Sequence, residues 1–303
     1  VTRLSPWLRH GVLSLAEVRD VALSKVQHAA QAEKLISELG WRDYWQRVRA
    51  ACPEGLWHDL ETPAAIHRGQ VVRSLPEAVT CGETGLDCID AFSTKLTRDG
   101  WLHNHERMWL ASCLIHTYNV SWRVGARWFL QHLLDADTAS NNFSWQWVAG
   151  TFSNKPYIFN RENVERFTNG MYCQACPAFG GCDFEGTYEQ LTEKLFIDTS
   201  VEREVRLTVP PASIWESREI PDESLVWVTL DSLSDCSPAK RQFPDAPSVF
   251  VFDQHWLSNE LPSYKRIAFI CECLAGLPDT EIWFGDTAAV LQERARIANM
   301  TDI

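Results

Sequence analysis

The chain has 303 residues, 45% of them hydrophobic, with 14 Trp, 14 Phe and a formal net charge of −12. That length favours two domains, and the apolar and aromatic content is ample for a large buried core, which excludes a disordered chain. The acidic total argues against a general nucleic-acid-coating protein, and neither an apolar run of about 18 residues nor a charged-then-apolar leader is found, so no membrane span or secretion is indicated.

The charge is unevenly placed. Residues 1–195 hold 19 Lys+Arg against 22 Asp+Glu, whereas residues 196–303 hold 9 against 18. The first part is therefore nearly neutral, which leaves room for a local basic rim from Arg42, Arg98, Arg123, Lys155 and Arg161. The first residue is Val, so the chain is read as processed, truncated or incomplete at its start, with an upstream targeting segment left open.

In chain order, Ser5-Pro6-Trp7 predicts an N-cap Ser with Pro at the first helical position. Such a helix start is an anion site, although most such ends are ordinary caps. Ser14-Leu-Ala-Glu17 forms a capping-box pattern opening a helix to about Gln31. Glu33 to Arg49 is helical, with Trp41, Tyr44 and Trp45 on it, and residues 52–82 read as an extended loop with short helical pieces. Helices are expected over roughly 86–98, 103–118 and 122–134, followed by a loop-rich 135–168. Residues 196–224, with Pro210-Pro211, read as a linker. Strands at 225–230, 248–252 and 281–284 around a helix at 264–274 give β-β-α-β order.

The chemistry concentrates between Gly100 and Trp147. Arg107, Asp135, Asp137, Asn141, Asn142, Trp145 and Trp147 put a cation, two acids, two carboxamides and indoles within about fifty residues. Such a set suits a flat, redox-active heterocycle: Arg stacks or pairs with it, carboxylates accept from a ribose, an amide faces a ring nitrogen and indoles donate electrons. For any single Trp the core is the simpler reading.

Two further groups stand out. In Glu38-Leu-Gly-Trp41-Arg42, the i and i+3 positions share a helix face, so an acid and an indole line one wall. Cys173, Cys176 and Cys182 place three thiols within ten positions, with Gly180-Gly181 allowing tight wrapping. Ten Cys without a secretion signal suggest a reducing compartment, where such clusters more often mean metal than disulfide.

These residues resemble the photolyase/cryptochrome family. The run from Val1 to about Leu195 is similar to its FAD-binding domain, and the resemblance implies a mainly α fold: residues 1–195 as an all-helical photolyase-type FAD-binding domain, 196–224 as linker, and 225–303 as a small, incomplete α/β Rossmann-like unit. That last unit is similar to half of the domain that usually precedes the flavin domain, which argues against a bound antenna chromophore. The resemblance implies FAD held by Thr2, Arg3, Leu4 and Ser5 at its pyrophosphate, by Arg42, by an Arg107/Asp135 pair beside the isoalloxazine, by Asp137 near the ribose and by Asn141 facing N5.

It further implies an electron-transfer chain of Trp145 and Trp122, with Trp57 as the candidate distal member, and a pocket for a flipped pyrimidine dimer lined by Glu38, Trp41, Asn104, Met108 and Trp147. Stacking on indoles offsets the cost of unstacking the lesion. Cys88 with Cys173, Cys176 and Cys182 resembles the ligand set of the iron–sulfur bacterial branch, for which a [4Fe–4S] cluster is expected, with zinc or free thiols as alternatives. The expected function is light-driven repair of UV-damaged DNA in the cytoplasm, associated with the nucleoid. The alternative is a cryptochrome-like photoreceptor acting through protein partners.

Overall fold

The computed structural model describes residues 2–202, 204 and 224–297. The described residues are 53% helical and include one small parallel sheet. Contacts divide the described residues into two units, one of residues 2–41, 134–136 and 224–297, the other of residues 42–133, 137–202 and 204. None of the described helices is long and apolar enough to cross a membrane.

The chain opens with α1 (Ser5–Arg9), α2 (Leu15–Ser24) and α3 (Glu33–Ala51). Ser14 caps α2 through a complete capping box with Glu17, as its sequence spacing requires. Two expectations are corrected here. Helix α1 begins at Ser5 itself, with Leu4 as its N-cap and no side-chain cap, so Ser5 is not the capping residue. Helix α2 stops at Ser24, and only a single 3₁₀ turn, Ala29–Gln31, follows before α3. Ser24 turns its hydroxyl back onto the Val21 carbonyl, a competition with the helix ladder that favours termination.

The second unit is built from β1 (Ile66–His67), α4 (Glu77–Cys81), α5 (Asp87–Asp99), α6 (Asn104–Ser112), α7 (Trp122–His132), α8 (Thr138–Ala149), α9 (Arg161–Thr168), α10 (Tyr188–Leu195) and β2 (Phe196–Asp198). In α5 the buried residues Cys88, Ile89, Phe92 and Leu96 recur at helical spacing, so one stripe faces inward. Gly100 ends that helix in the left-handed region. Phe92, Leu96, Leu102, Trp109, Leu110, Leu114, Leu130, Leu133 and Phe143 form the fully buried centre of this unit. Helix α6 continues into a π-helical turn, Cys113–Thr117, whose first four residues are all buried.

The segment expected to be loop-rich, 135–168, instead contains α8 and α9. Helix α8 reads Thr-Ala-Ser-Asn-Asn-Phe-Ser-Trp-Gln-Trp-Val-Ala, mostly residues of modest helix propensity. Burial on more than one face also removes the polar/apolar period that marks a surface helix. Its two ends supply what the interior lacks: Asp137 accepts from the Ala139 amide, and Gly150 closes the helix at φ +77°. The expected linker likewise begins as structure, since β2 pairs antiparallel with β1. Residues 203 and 205–223, the bulk of that linker, lie outside the described residues.

In the first unit, β3 (Val226–Val228), α11 (Pro238–Gln242), β4 (Ser248–Asp253), α12 (Gln254–Glu260), α13 (Tyr264–Ala275), β5 (Thr280–Gly285) and α14 (Thr287–Ile297) follow in chain order. The strands pair in parallel in the order β3-β4-β5. Strand β4 buries side chains on both faces: Phe250 packs with Ile270 and Leu274, and Val249 and Val251 pack with Leu291. Two-sided burial explains why β4 reads as the continuous run Val-Phe-Val-Phe. Strand β5, at one edge of this sheet, leaves Ile282, Trp283 and Phe284 exposed. His10 is fully buried, its ring nitrogens 2.8 Å from the Leu230 carbonyl and 3.2 Å from that of Leu134, so one side chain ties three chain segments together.

Candidate functional site on helices α7 and α8

Helix α8 starts at a buried acid. Asp137 is 3% exposed, and its carboxylate accepts from the Ala139 amide at 3.0 Å, the Ser140 hydroxyl at 2.9 Å, Gln46 at 2.7 Å and Arg42 at 3.1 Å. A carboxylate is stable in that setting because the helix N-terminus and the guanidinium both favour negative charge. One turn on, Asn141 donates its amide to the Ala126 carbonyl on α7 at 3.1 Å and to Asn142 Oδ1 at 2.9 Å.

The following residues of α8 hold the loop that precedes the helical body. Asn142 donates to the Leu56 carbonyl at 2.6 Å. Gln146 donates to the Gly55 carbonyl at 2.6 Å and accepts from the Leu60 amide at 3.0 Å. Both side chains are fully buried, so these bonds satisfy loop groups that water cannot reach. The loop they pin carries Trp57 and Asp59.

Trp145 is 2% exposed and packs edge-on to Phe129 at 4.9 Å, its ring lying over Gly125 of α7. Trp122, three residues before Gly125 on the same helix, is also buried. Its ring lies parallel to that of Trp57, with centroids 6.4 Å apart and 7° between planes. The Trp122 indole N–H donates to Asp59 at 2.8 Å, and Asp59 pairs with Arg123 at 3.0 Å. Arg123 and Arg127 stand over the Trp122 and Trp57 rings, at 4.8 and 4.6 Å from the centroids.

The remaining sequence candidates are placed as follows. Trp147 is exposed at the outer face of α8 and leans on Tyr157 at 5.4 Å. Asn104 and Met108 are neighbours at the start of α6, with Asn104 Nδ2 3.6 Å from the Met108 sulfur. Arg107 donates Nε to the Leu102 carbonyl. Glu38 and Trp41 are exposed on the first half of α3, Asp135 is buried in the 134–136 segment, and Thr2 and Arg3 are exposed ahead of α1 while Leu4 and Ser5 are half-buried. These last residues belong to the first unit, whereas Asn104, Arg107, Met108 and Trp147 belong to the second.

The four cysteines singled out by sequence line one apolar pocket together with Leu86, Val164, Tyr172 and Phe184. Burial pushes the Cys88 thiol up to about 12, with Cys182 and Cys173 adding to the effect, and burial pushes Cys173 to about 11. Cys182 is raised by the same cause. Four sulfurs in an apolar wall are the donor chemistry of a thiolate metal centre. Among the described residues, however, no group of three or more His, Cys, Asp or Glu side chains is set to hold a metal ion.

Three residues of this site escape a sequence reading. Gly125 sits inside a helix, where an isolated glycine is destabilising and usually has a packing reason, which was the available signal. Asp59 and Arg127 carry no spacing signal, because their partners, Trp122 and Arg123 for the one and Trp57 for the other, come from a different part of the chain.

Residues 35–173 match the family model of the FAD binding domain of DNA photolyase. A deoxyribodipyrimidine photo-lyase of Streptomyces griseus is 39% identical over 150 residues, 50% of this chain and 32% of that protein. That of Alkalihalophilus pseudofirmus is 33% identical over 178 residues, 56% of this chain and 37% of its own length. The chain thus spans about a third of the length of these relatives. Among solved structures, a bacterial class III photolyase from Agrobacterium tumefaciens aligns over 56% of this chain and 36% of its own, with 32% identity and a TM-score of 0.48. Over residues 35–173, then, this chain is similar to the FAD binding domain of DNA photolyase.

Proposed function

We propose that the protein takes part in light-driven, FAD-dependent repair of UV-damaged DNA, by electron transfer to a flipped cyclobutane pyrimidine dimer. The observation that supports this most is helix α8 within the family-matched segment: a buried, Arg-paired acid at its start, Asn141 one turn on, Trp145 inward against α7 and Trp147 outward. FAD, when bound, supplies the light-excited one-electron chemistry. In this reading Asp137 and Arg42 hold the ribose side of the cofactor and Arg107 with Asp135 balance charge at its ring. The NH2 group of Asn141 is committed to Ala126 and Asn142, and its carbonyl oxygen would face N5 of the bound flavin. Thr2 to Ser5 bind the pyrophosphate, Trp145, Trp122 and Trp57 relay electrons, and Glu38, Trp41, Asn104, Met108 and Trp147 receive the lesion.

The same reading assigns Cys88, Cys173, Cys176 and Cys182 to a [4Fe–4S] cluster of the iron–sulfur bacterial type, supported by their convergence on one pocket. It takes residues 225–303 as a reduced Rossmann-like unit after the flavin domain. The test is direct: the purified protein should release FAD on denaturation and clear cyclobutane dimers from irradiated oligonucleotides under blue light but not in the dark. A protein that binds no flavin, or that leaves dimers intact in the light, rules out the reading.

A further inference from the structure

Trp122 has a base on its indole nitrogen. Its N–H points at Asp59 Oδ1 at 2.8 Å, within the range for direct proton transfer. The carboxylate is held in place by a second bond from Arg123 Nη2 to the same oxygen at 3.0 Å, and Arg123 Nε also grips the Trp57 carbonyl at 2.6 Å. One cation therefore fixes both the acid and the neighbouring indole. Trp122 itself is 5% exposed, whereas the Asp59 side chain is 18% exposed, so the acid links a buried indole to solvent.

The electrostatics of the pair are unusual for an electron relay. A guanidinium over an indole face is attracted by the electron-rich ring. Once the ring has lost an electron, that attraction turns into repulsion between two positive charges. Trp122 faces Arg123 in this way and Trp57 faces Arg127. A positive hole on either ring is thus disfavoured by a fixed cation about 5 Å away. Loss of the N–H proton removes the offending charge, and only Trp122 among the described residues of this stack shows a carboxylate on its indole nitrogen.

We propose that Asp59 is the proton acceptor for oxidised Trp122, converting a transient radical cation into a neutral radical. The inference rests on the flavin photochemistry proposed above, with light-excited oxidised flavin as the one-electron oxidant. One electron leaves the Trp122 indole for that oxidant, the Nε1–H bond breaks, and the proton forms an O–H bond with the Asp59 carboxylate. The products are a neutral indolyl radical and a neutral carboxylic acid, which returns its proton through its solvent-facing edge. Arg123 positions the carboxylate and, left without a counter-charge by the transfer, favours rapid loss of that proton to water.

The experiment is transient absorption of the flavin-loaded full chain, comparing wild type with Asp59→Asn and Asp59→Glu, and with Trp122→Phe to identify the band. The radical cation and the neutral radical of tryptophan absorb at different wavelengths, so the readout is the identity of the radical rather than repair. Wild type should pass from cation to neutral radical with slowing in heavy water. Asp59→Asn, which keeps an acceptor oxygen but cannot take the proton, should lengthen the cation lifetime at least tenfold, and Asp59→Glu should restore it. Should Asp59→Asn fold poorly, Asp59→Ala, which removes the acceptor altogether, should show the same long-lived cation. Conversion to the neutral radical at the wild-type rate in Asp59→Asn, or at a rate independent of solvent isotope in wild type, overturns the inference alone. Absence of any tryptophan radical in flavin-loaded wild type overturns the electron-relay reading and this inference with it.

Discussion

Gly125 lies directly beneath the ring of Trp145: a methyl group at Gly125 would overlap Cη2 and Cζ3 of that indole. The indole is buried and held edge-on by Phe129, so it has little room to move. In an unconstrained helix Gly→Ala stabilises by about 1 kcal/mol. Here overpacking outweighs that gain, and Gly125→Ala should destabilise the protein by about 1–3 kcal/mol. Thermal denaturation followed by tryptophan fluorescence checks the sign, since a raised midpoint would contradict the packing argument.

The buried histidines predict a pH dependence. Burial lowers His116 to about 3, with His67 adding to the effect, and burial lowers His10 to about 4, with Arg9 adding to it. The hydrogen bonds explain why His116 is held neutral: Nε2 donates to the Val148 carbonyl at 3.1 Å, so Nδ1 must accept from His67 Nε2 at 2.8 Å. A proton on Nδ1 would break that contact. The unfolded chain takes up these protons near pH 6.5 and the folded chain does not. Stability from these groups is therefore complete above about pH 6.5 and falls as the pH drops toward 4, by up to about 2 kcal/mol per histidine at pH 5. Denaturant titrations at pH 7.5 and 5.0 should show a smaller loss in His116→Gln than in wild type, and equal losses would place the effect elsewhere.

Gln146 serves two backbone groups of the loop that carries Trp57 and Asp59. Replacing it by Leu leaves the Gly55 carbonyl and the Leu60 amide buried and unpaired, at a cost of about 1–3 kcal/mol for each such group. The expected result for Gln146→Leu is a lower denaturation midpoint together with faster amide exchange in residues 52–62. Unchanged protection in that loop would show that it is held by its own contacts.

Trp41 and Trp147 are 55% and 39% exposed. Exposed indoles contribute little to the core, so Trp41→Ala and Trp147→Ala should leave folding and flavin content near wild type. If they stack on an extrahelical lesion, each change weakens binding to dimer-containing DNA by about 1–3 kcal/mol. Competition binding with damaged and undamaged strands measures this, and an equal loss on both strands would assign the indoles to general DNA contact.

Raised thiols mean that Cys88, Cys173 and Cys182 stay protonated without a metal, so metal uptake must release protons and strengthen with pH. Anaerobically purified protein should contain iron and sulfide, and Cys88→Ala should lose both along with folding yield. Cys113→Ala, at a fully buried thiol that does not line the pocket, should keep the metal. Stoichiometric zinc would make the site a structural zinc centre, and neither metal in fresh wild type would remove it.

Sequence alone carried the features whose cause is local. The Ser14/Glu17 box fixed the start of α2, and the apolar stripe of Cys88, Ile89, Phe92 and Leu96 fixed α5. The continuous run from Val249 to Phe252 fixed a strand buried on both faces, because each depends on spacing along one element. The density of acids, amides and indoles between Gly100 and Trp147 likewise pointed to a flavin-type domain before any contact was known. Helix α8 was lost because its stability comes from the Asp137 cap, the Gly150 stop and burial on several faces, none of which leaves a period in the sequence. Only the tertiary structure brought Asp59 onto Trp122, Trp57 parallel to it and Gly125 under Trp145. The first two pairings join residues up to 65 positions apart through the loop that Asn142 and Gln146 hold, the third joins α7 to α8, and such contacts are set by packing of whole elements rather than by residue spacing.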